Sequence, residues 1–217
     1  MTNIGNIYDF FNFVTDKYRN EYLSPEEVSA ALDIAQNTLW QNYVGKRNSG
    51  NELALVALRP FYASSTVTTN SAGSVAYPSL FAEMNGVYTN INGVTTTVRE
   101  VLYNELTDNI NSVIYPIVKY PVYIKKSTTI TYYPNEVKSL DLEYLTKPTT
   151  PVMGYTTTTN GIVYDPLTST QLQFDTQYYY EIILLAMPYV GVNLSNQEVS
   201  GLIDLFAINK DNGSDGN

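Results

Sequence analysis

"SLDLEYLTKPTTPVMGY", residues 139–155, changes character halfway along. In its first half Leu140, Leu142 and Tyr144 fall on one side of an extended chain, and Ser139, Asp141 and Glu143 on the other. Successive side chains of a strand point to opposite faces, so this is the pattern of a half-buried antiparallel strand with one wet face. The second half meets Lys147 and two prolines, Pro148 and Pro151, and ends on Met153-Gly154-Tyr155. A proline donates no ladder hydrogen bond, so the strand stops there and a stiff, partly apolar segment leaves it. What that segment touches is the first question the sequence raises.

Upstream of it, Val122 to Lys125, Ile130 to Tyr133 and Val137 to Tyr144 are three short strand-like runs separated by polar or proline-bearing turns. Val94 to Val101 alternates with threonines as a further strand, and Tyr103 to Ser112 is read as a short helix or loop. Leu53 to Tyr62 is apolar and strand-like with a break at Pro60, and Ser64 to Ser74 reads as a polar loop. Three Asn-Gly pairs, at 85–86, 92–93 and 160–161, supply the positive φ angles of type I′ turns. The last pair makes Tyr155 to Thr159 and Ile162 to Asp165 the arms of a hairpin.

Both ends of the chain carry a helical period. Ile4, Ile7, Phe11, Val14 and Tyr18 recur at spacings of three and four, a stripe that needs a partner. Ser24-Pro25-Glu26-Glu27 then reads as an N-cap, a proline in the first turn and a glutamate placed to close a capping box. Val28, Leu32, Ala35, Leu39 and Tyr43 continue as the buried face of a second helix that ends near Gly45, with Trp40 at the edge of the seam. Near the other end, Tyr178, Ile182, Leu185 and Met187 predict a helix stopped by Pro188 and Gly191. Ser195 caps a second one with Val199, Leu202, Ile203 and Phe206 on its apolar side.

These elements predict an α+β fold: a small antiparallel β-barrel or sandwich flanked by an N-terminal helical hairpin and C-terminal helices. The expected divisions are a hairpin over 1–50, a β domain over 51–170, helices packed on it over 171–209, and a disordered acidic tail over 210–217.

Composition narrows the chemistry. The 217 residues include no cysteine and no histidine, which removes disulfides, Cys/His zinc sites and thiol or Ser-His catalysis. Twelve basic residues against 21 acidic give a net charge of −9, which repels a phosphate backbone, although a passive DNA channel tolerates that sign. The N-terminal apolar residues are interrupted by Asp9, Asn12, Asp16 and Lys17, so neither a signal-peptide core nor a membrane span is expected. The 20 tyrosines suit either contact surfaces or a β-rich core.

No phosphate loop, metal-ligand spacing or cofactor motif is present, and the acidic stretch from Asp211 to Asp215 lacks the glutamate of a calcium loop. Asp141 and Glu143 share a strand face about 7 Å apart, near the spacing of paired catalytic acids, but such an exposed pair is ordinarily a solvated face. No enzymatic activity is expected.

"LDLEYLTKPTTPVMGY" (140–155), "YDPLTSTQLQF" (164–174) and "YYYEIILLAMPYVGVNLSNQEVSGL" (178–202) together resemble a family of virion structural proteins of crAss-like tailed bacteriophages. There a strand ends in Tyr-Leu-x-Lys-Pro, a Gly-Tyr follows, and a Ser/Thr-bearing stretch leads to a helix closing with Gly-Val-x-Leu. The resemblance spans roughly residues 55–205 and departs from the pattern at Met153 and in the threonine-rich hairpin. It implies a homo-oligomeric ring of the neck or tail barrel, assembled in the host cytoplasm beneath the portal, between neighbouring ring proteins and around a passive DNA channel.

On that view Lys147, Pro148, Pro151, Met153 and Tyr155 are the candidate subunit interface, because prolines lower the entropy lost on docking while a Lys stem and a Met adapt to a partner. The alternative is that the prolines merely end an edge strand. A non-enzymatic glycan- or receptor-binding tail module using exposed tyrosines is the competing function.

Overall fold

The computed structural model describes residues 3–19, 22–70, 73–91, 93–111, 119–135, 138–159 and 161–192, with 198 and 201. The chain is α+β, with helices at both ends, antiparallel sheets and no closed barrel. It divides into two compact units, residues 61–147 and a discontinuous unit of 1–60 with 148–217. The expected boundaries at 50/51 and 170/171 are therefore displaced: 51–60 and 148–170 belong with the helices. The strand at 139–146 lies at the end of the 61–147 unit, and its proline-bearing continuation from Pro148 resumes the other.

The 61–147 unit is a sandwich. One sheet has the order β1-β8-β3-β4, from β1 (Tyr62–Thr68), β3 (Phe81–Ile91), β4 (Val94–Thr97) and β8 (Ser139–Thr146). The other has the order β2-β7-β6-β5, from β2 (Ser74–Ala76), β5 (Arg99–Glu100), β6 (Val122–Lys125) and β7 (Thr129–Tyr133), with β5 and β6 parallel. Val75, Val87, Tyr123, Tyr132, Leu140 and Leu142 fill the space between them. Leu140, Leu142 and Tyr144 are buried and Ser139, Asp141 and Glu143 exposed, as the alternation predicts. β6 and β7 carry consecutive buried residues because their sheet is covered on both faces. Helix α4 (Tyr103–Asn111) supplies the second cover, burying Leu106 against Val122 and Ile124. Val98, 2% exposed in the core, is where the chain passes from one sheet to the other.

Helix α1 (Ile4–Arg19) buries Ile4, Ile7, Phe11 and Val14 completely, and Phe10 with them. Helix α2 (Pro25–Asn48) starts with the predicted capping box: Glu27 N–H donates to Ser24 Oγ at 3.2 Å, and Ser24 N–H donates to Glu27 Oε2 at 2.8 Å. Val28, Leu32, Ala35 and Leu39 form its buried face, Tyr43 is half-buried, and Trp40 keeps its indole N–H out of solvent without a partner among the described residues. The helix runs past Gly45 to Asn48, because the residue that turns left-handed is Gly50, with φ of 79°. Helix α5 (Tyr179–Ala186) buries Tyr179, Ile182, Ile183 and Ala186, so its buried stripe is set one residue away from the predicted Tyr178 and Leu185. It packs along α2, where Tyr43 OH donates to Glu181 Oε2 at 3.0 Å and meets the Tyr178 and Phe174 rings.

Three local expectations fail. Leu53 to Tyr62 is not a strand: α3 (Glu52–Ala57) occupies its first half, started by the Asn51 side chain, which accepts from the Leu53 and Ala54 N–H groups, and a 3-10 turn (Arg59–Phe61) follows before β1 begins at Tyr62. Ser64 to Ser74 is not simply a loop, since β1 runs through Thr68 on the strength of its ladder to β8. Asn85-Gly86 is not a turn but a bulge within β3, where the register against β8 slips. Tyr18's side chain, Asn92, Ser112, Val137, Asn160, nearly all of the helix expected from Ser195, and the tail 210–217 lie outside the described residues.

Candidate assembly surface

The proline-bearing segment touches its own helix. Gln36 of α2, fully buried, donates from Nε2 to the Thr149 carbonyl at 3.0 Å and accepts at Oε1 from the Gln173 N–H at 2.7 Å. Gln173 closes the loop by accepting from Thr149 N–H at 3.1 Å. About two helical turns toward the N-terminus, Ser29 Oγ accepts from Met153 N–H at 3.0 Å. Val152 forms an antiparallel bridge with Thr170. Gly154 lies so close to the 168–169 backbone that a Cβ there would stand 2.6 Å from the Thr168 carbonyl carbon and 2.9 Å from Ser169 N. Only glycine fits that approach.

The five residues expected as one subunit contact are accordingly split. Pro148, Pro151 and Met153 are interior, Met153 only 3% exposed, and present nothing to a neighbour. Lys147 is exposed but belongs to the sandwich, where its N–H donates to the Leu80 carbonyl at 2.8 Å. Tyr155 is exposed on the helical unit. The segment docks, but it docks on α2 of its own chain.

Beside this clamp runs a groove of about 700 Å³, with Ala30, Pro151, Val152 and Met153 as its apolar walls and Glu26 and Asp33 on α2 as its acidic members. Tyr155 OH donates to Glu26 Oε1 at 2.9 Å. A hydrogen bond from its own backbone N–H, at the start of α2, and then the Tyr155 hydroxyl hold the Glu26 carboxyl below its ordinary value. The same pairing pushes the Tyr155 hydroxyl up.

From Tyr155 a two-stranded hairpin leaves the unit: β9 (Tyr155–Thr158) and β10 (Gly161–Tyr164), paired without a slip from Thr158–Gly161 to Tyr155–Tyr164. The hairpin is as predicted, though Gly161 sits on the ladder and the connection falls one residue earlier. Its base is anchored by Asp165 N–H donating to the Gly154 carbonyl at 2.9 Å. Gln171 adds to that anchor, donating to Tyr164 OH at 2.8 Å and accepting from the Ile4 N–H at 2.9 Å. Beyond the base every residue of both strands is exposed, including Ile162 at 42% and Val163 at 50%. "YTTTTNGIVY", residues 155–164, holds no charged side chain in a chain of net charge −9. Of these residues only Tyr155 belongs to the interface expected from the sequence; for the rest of the arm the lack of charge is the signal the sequence offers.

A second feature lies on the wet face of the sandwich. Asp141 accepts from Thr66 Oγ1 at 2.6 Å, and Glu143 from Tyr88 OH at a long 3.4 Å. Next to them a shallow depression of about 320 Å³ is lined by Tyr62, Ala63, Ser64, Asn85 and Glu143, opened by the bulge at Asn85. Among the described residues no cluster of three or more Asp or Glu is arranged to hold a metal ion, and no helix is long and apolar enough to cross a membrane. No protein-family profile matches the chain, and no curated protein matches it.

Proposed function

We propose that this chain is a structural subunit of a tailed-phage virion, assembling as a ring in the neck or tail barrel where the portal is joined to the tail. The observation that carries the reading is the β9–β10 hairpin: a rigidly anchored arm, exposed on both faces and free of charge, on a strongly acidic chain. Two-stranded hairpins are marginal by themselves, so an arm of this kind gains by being covered. Like-charged copies repel over most of their surface and meet most readily across a neutral patch. The same net charge of −9 on a ring wall keeps passing DNA from sticking to it. The resemblance of residues 140–155, 164–174 and 178–202 to crAss-like phage structural proteins points to the same assembly. Antibodies raised against the chain, applied to purified particles under the electron microscope, test the location. Label at the head–tail junction is the expected result; label on the capsid shell or at fibre tips contradicts it.

The depression at Tyr62, Asn85 and Glu143 favours a second reading, a glycan-binding tail module. A tyrosine ring, an amide and a carboxylate around an open hollow suit a neutral polyhydroxylated ligand. Glycan-array binding that is lost in both Tyr62→Ala and Glu143→Gln supports it, and an array without signal removes it.

A further inference from the structure

We infer that copies of this chain join through their hairpins, the β9 edge of one copy pairing with the β10 edge of the next, so that the arms form a continuous β belt. The inference rests on the ring reading and names the contact that closes the ring.

A strand at the edge of a sheet presents a row of backbone N–H and C=O groups, and proteins blunt such edges with charges, prolines, bulges or covering elements. Here the sheet has only two strands, so both are edges, and among the described residues no other strand pairs with either. The first three devices are missing from the arm: residues 155–164 contain no Lys, Arg, Asp, Glu or Pro, and the register is unbroken. Four threonines, Ile162, Val163 and two tyrosines are strong strand formers. The edges β1 and β4 of the sandwich are also uncharged, but β1 packs Ala63 and Val67 against the core, and β4, although three of its four residues are exposed, offers one open edge where the arm offers two.

Two features select a second copy as the occupant. A hairpin has two different open edges, so β9-to-β10 pairing satisfies both with one kind of partner, whereas a single foreign strand covers one and leaves the other open. Copies related by rotation about one axis also keep their arms pointing the same way. Their order around the axis is then β9, β10, β9, β10, which alternates in direction and is antiparallel throughout. Head-to-tail contacts of this kind generate closed rings when the rotation between copies returns to the start.

The chain has no cysteine, so single thiols report on the contact without background. Thr157 and Ile162 are cross-strand partners at the same height of one hairpin. In an unstaggered belt, Ile162 of one copy therefore lies beside Thr157 of the next. Full-length Thr157→Cys and Ile162→Cys proteins are mixed and oxidised. The belt predicts mixed disulfide dimers in excess of either homodimer by about tenfold, the effect of holding two thiols at high effective concentration. Hydrogen exchange of the unmodified chain covers a staggered register: amides within 155–164 become protected as concentration, or assembly on particles, increases. Homodimers without mixed dimers mean a two-fold contact and overturn the belt, as do absent cross-links without protection. Protection that appears only when another virion protein is added assigns the edge to that protein instead. A belt that fails while the chain labels the head–tail junction leaves the ring reading standing with its contact elsewhere; a belt that forms in a protein absent from that junction does the reverse.

Discussion

Met153 and its neighbours were legible as a contact and illegible as to whose. The residues that receive the segment, Ser29 and Gln36, lie 124 and 113 positions away from Met153 and Thr149. A stiff apolar stretch leaving a strand reads identically whether it docks on its own chain or on a neighbour. Gly154 is the residue at which the docking is most exposed to test. A methyl group there collides with backbone at Thr168 and Ser169, which cannot rotate away as a side chain would. Gly154→Ala should cost roughly 1–3 kcal/mol or more, read as a lower urea midpoint; an unchanged midpoint would mean that the clamp is not as tight as described. Tyr132 makes the opposite case. It is completely buried between the sheets and its hydroxyl has no hydrogen-bond partner among the described residues. Tyr132→Phe should leave stability unchanged or raise it by about 1 kcal/mol, since an unsatisfied buried hydroxyl is a cost. A marked loss in the same titration would show that the hydroxyl is satisfied after all.

Helix α2 is the element the sequence announced most clearly and the one on which its unit is built. Its start is written locally in Ser24 and Glu27, within one turn, and so could be read without tertiary knowledge. Ser24→Ala should lower stability by about 1 kcal/mol in thermal or urea melts, with Glu27→Ala adding little once the reciprocal bond is gone. Additive losses would contradict the reciprocal box. The elements that were misread have their causes elsewhere in the chain or in weaker local signals. Strand β1 is a Ser/Thr-rich edge held in place by its ladder to β8, some 75 residues on. The apolar run at Leu53 fits strand or helix by composition, and the cap at Asn51 decides for helix. At Asn85-Gly86 the dipeptide fits a hairpin turn, but β3 continues through it because β8 pairs on both sides of the bulge. The β9–β10 hairpin was read correctly for the reason that its turn and arms are local.

At the scale of the molecule, fold class followed from the order of patterns along the chain, helices then strands then helices. The division into units did not, because residues 1–60 are completed by residues from 148 onward and sequence order conceals that. Both units lean on tyrosine. The hydroxyls of Tyr43, Tyr77, Tyr123, Tyr155 and Tyr179 are all raised above the ordinary value of 10.0. Burial is the first cause for four of them, and the hydrogen bond to Glu26 for Tyr155. A group raised in the folded state contributes stability that is complete below pH 10 and is lost as pH climbs through the folded value, about 12 for Tyr43. Urea midpoints should therefore hold steady to pH 10 and fall beyond it, less steeply in Tyr43→Phe. A profile level to pH 12 would contradict the raised hydroxyls.

The ring itself is tested most directly by counting. Quantitative mass spectrometry of purified particles gives copies of this chain per copy of portal, for the unmodified chain and for one carrying Ile162→Lys and Val163→Lys on the arm. A small fixed multiple of the portal count, lost with the charged arm although the variant chain folds, is the predicted result. A handful of copies, a number far above what one ring holds, or undiminished incorporation of the charged arm would contradict the account.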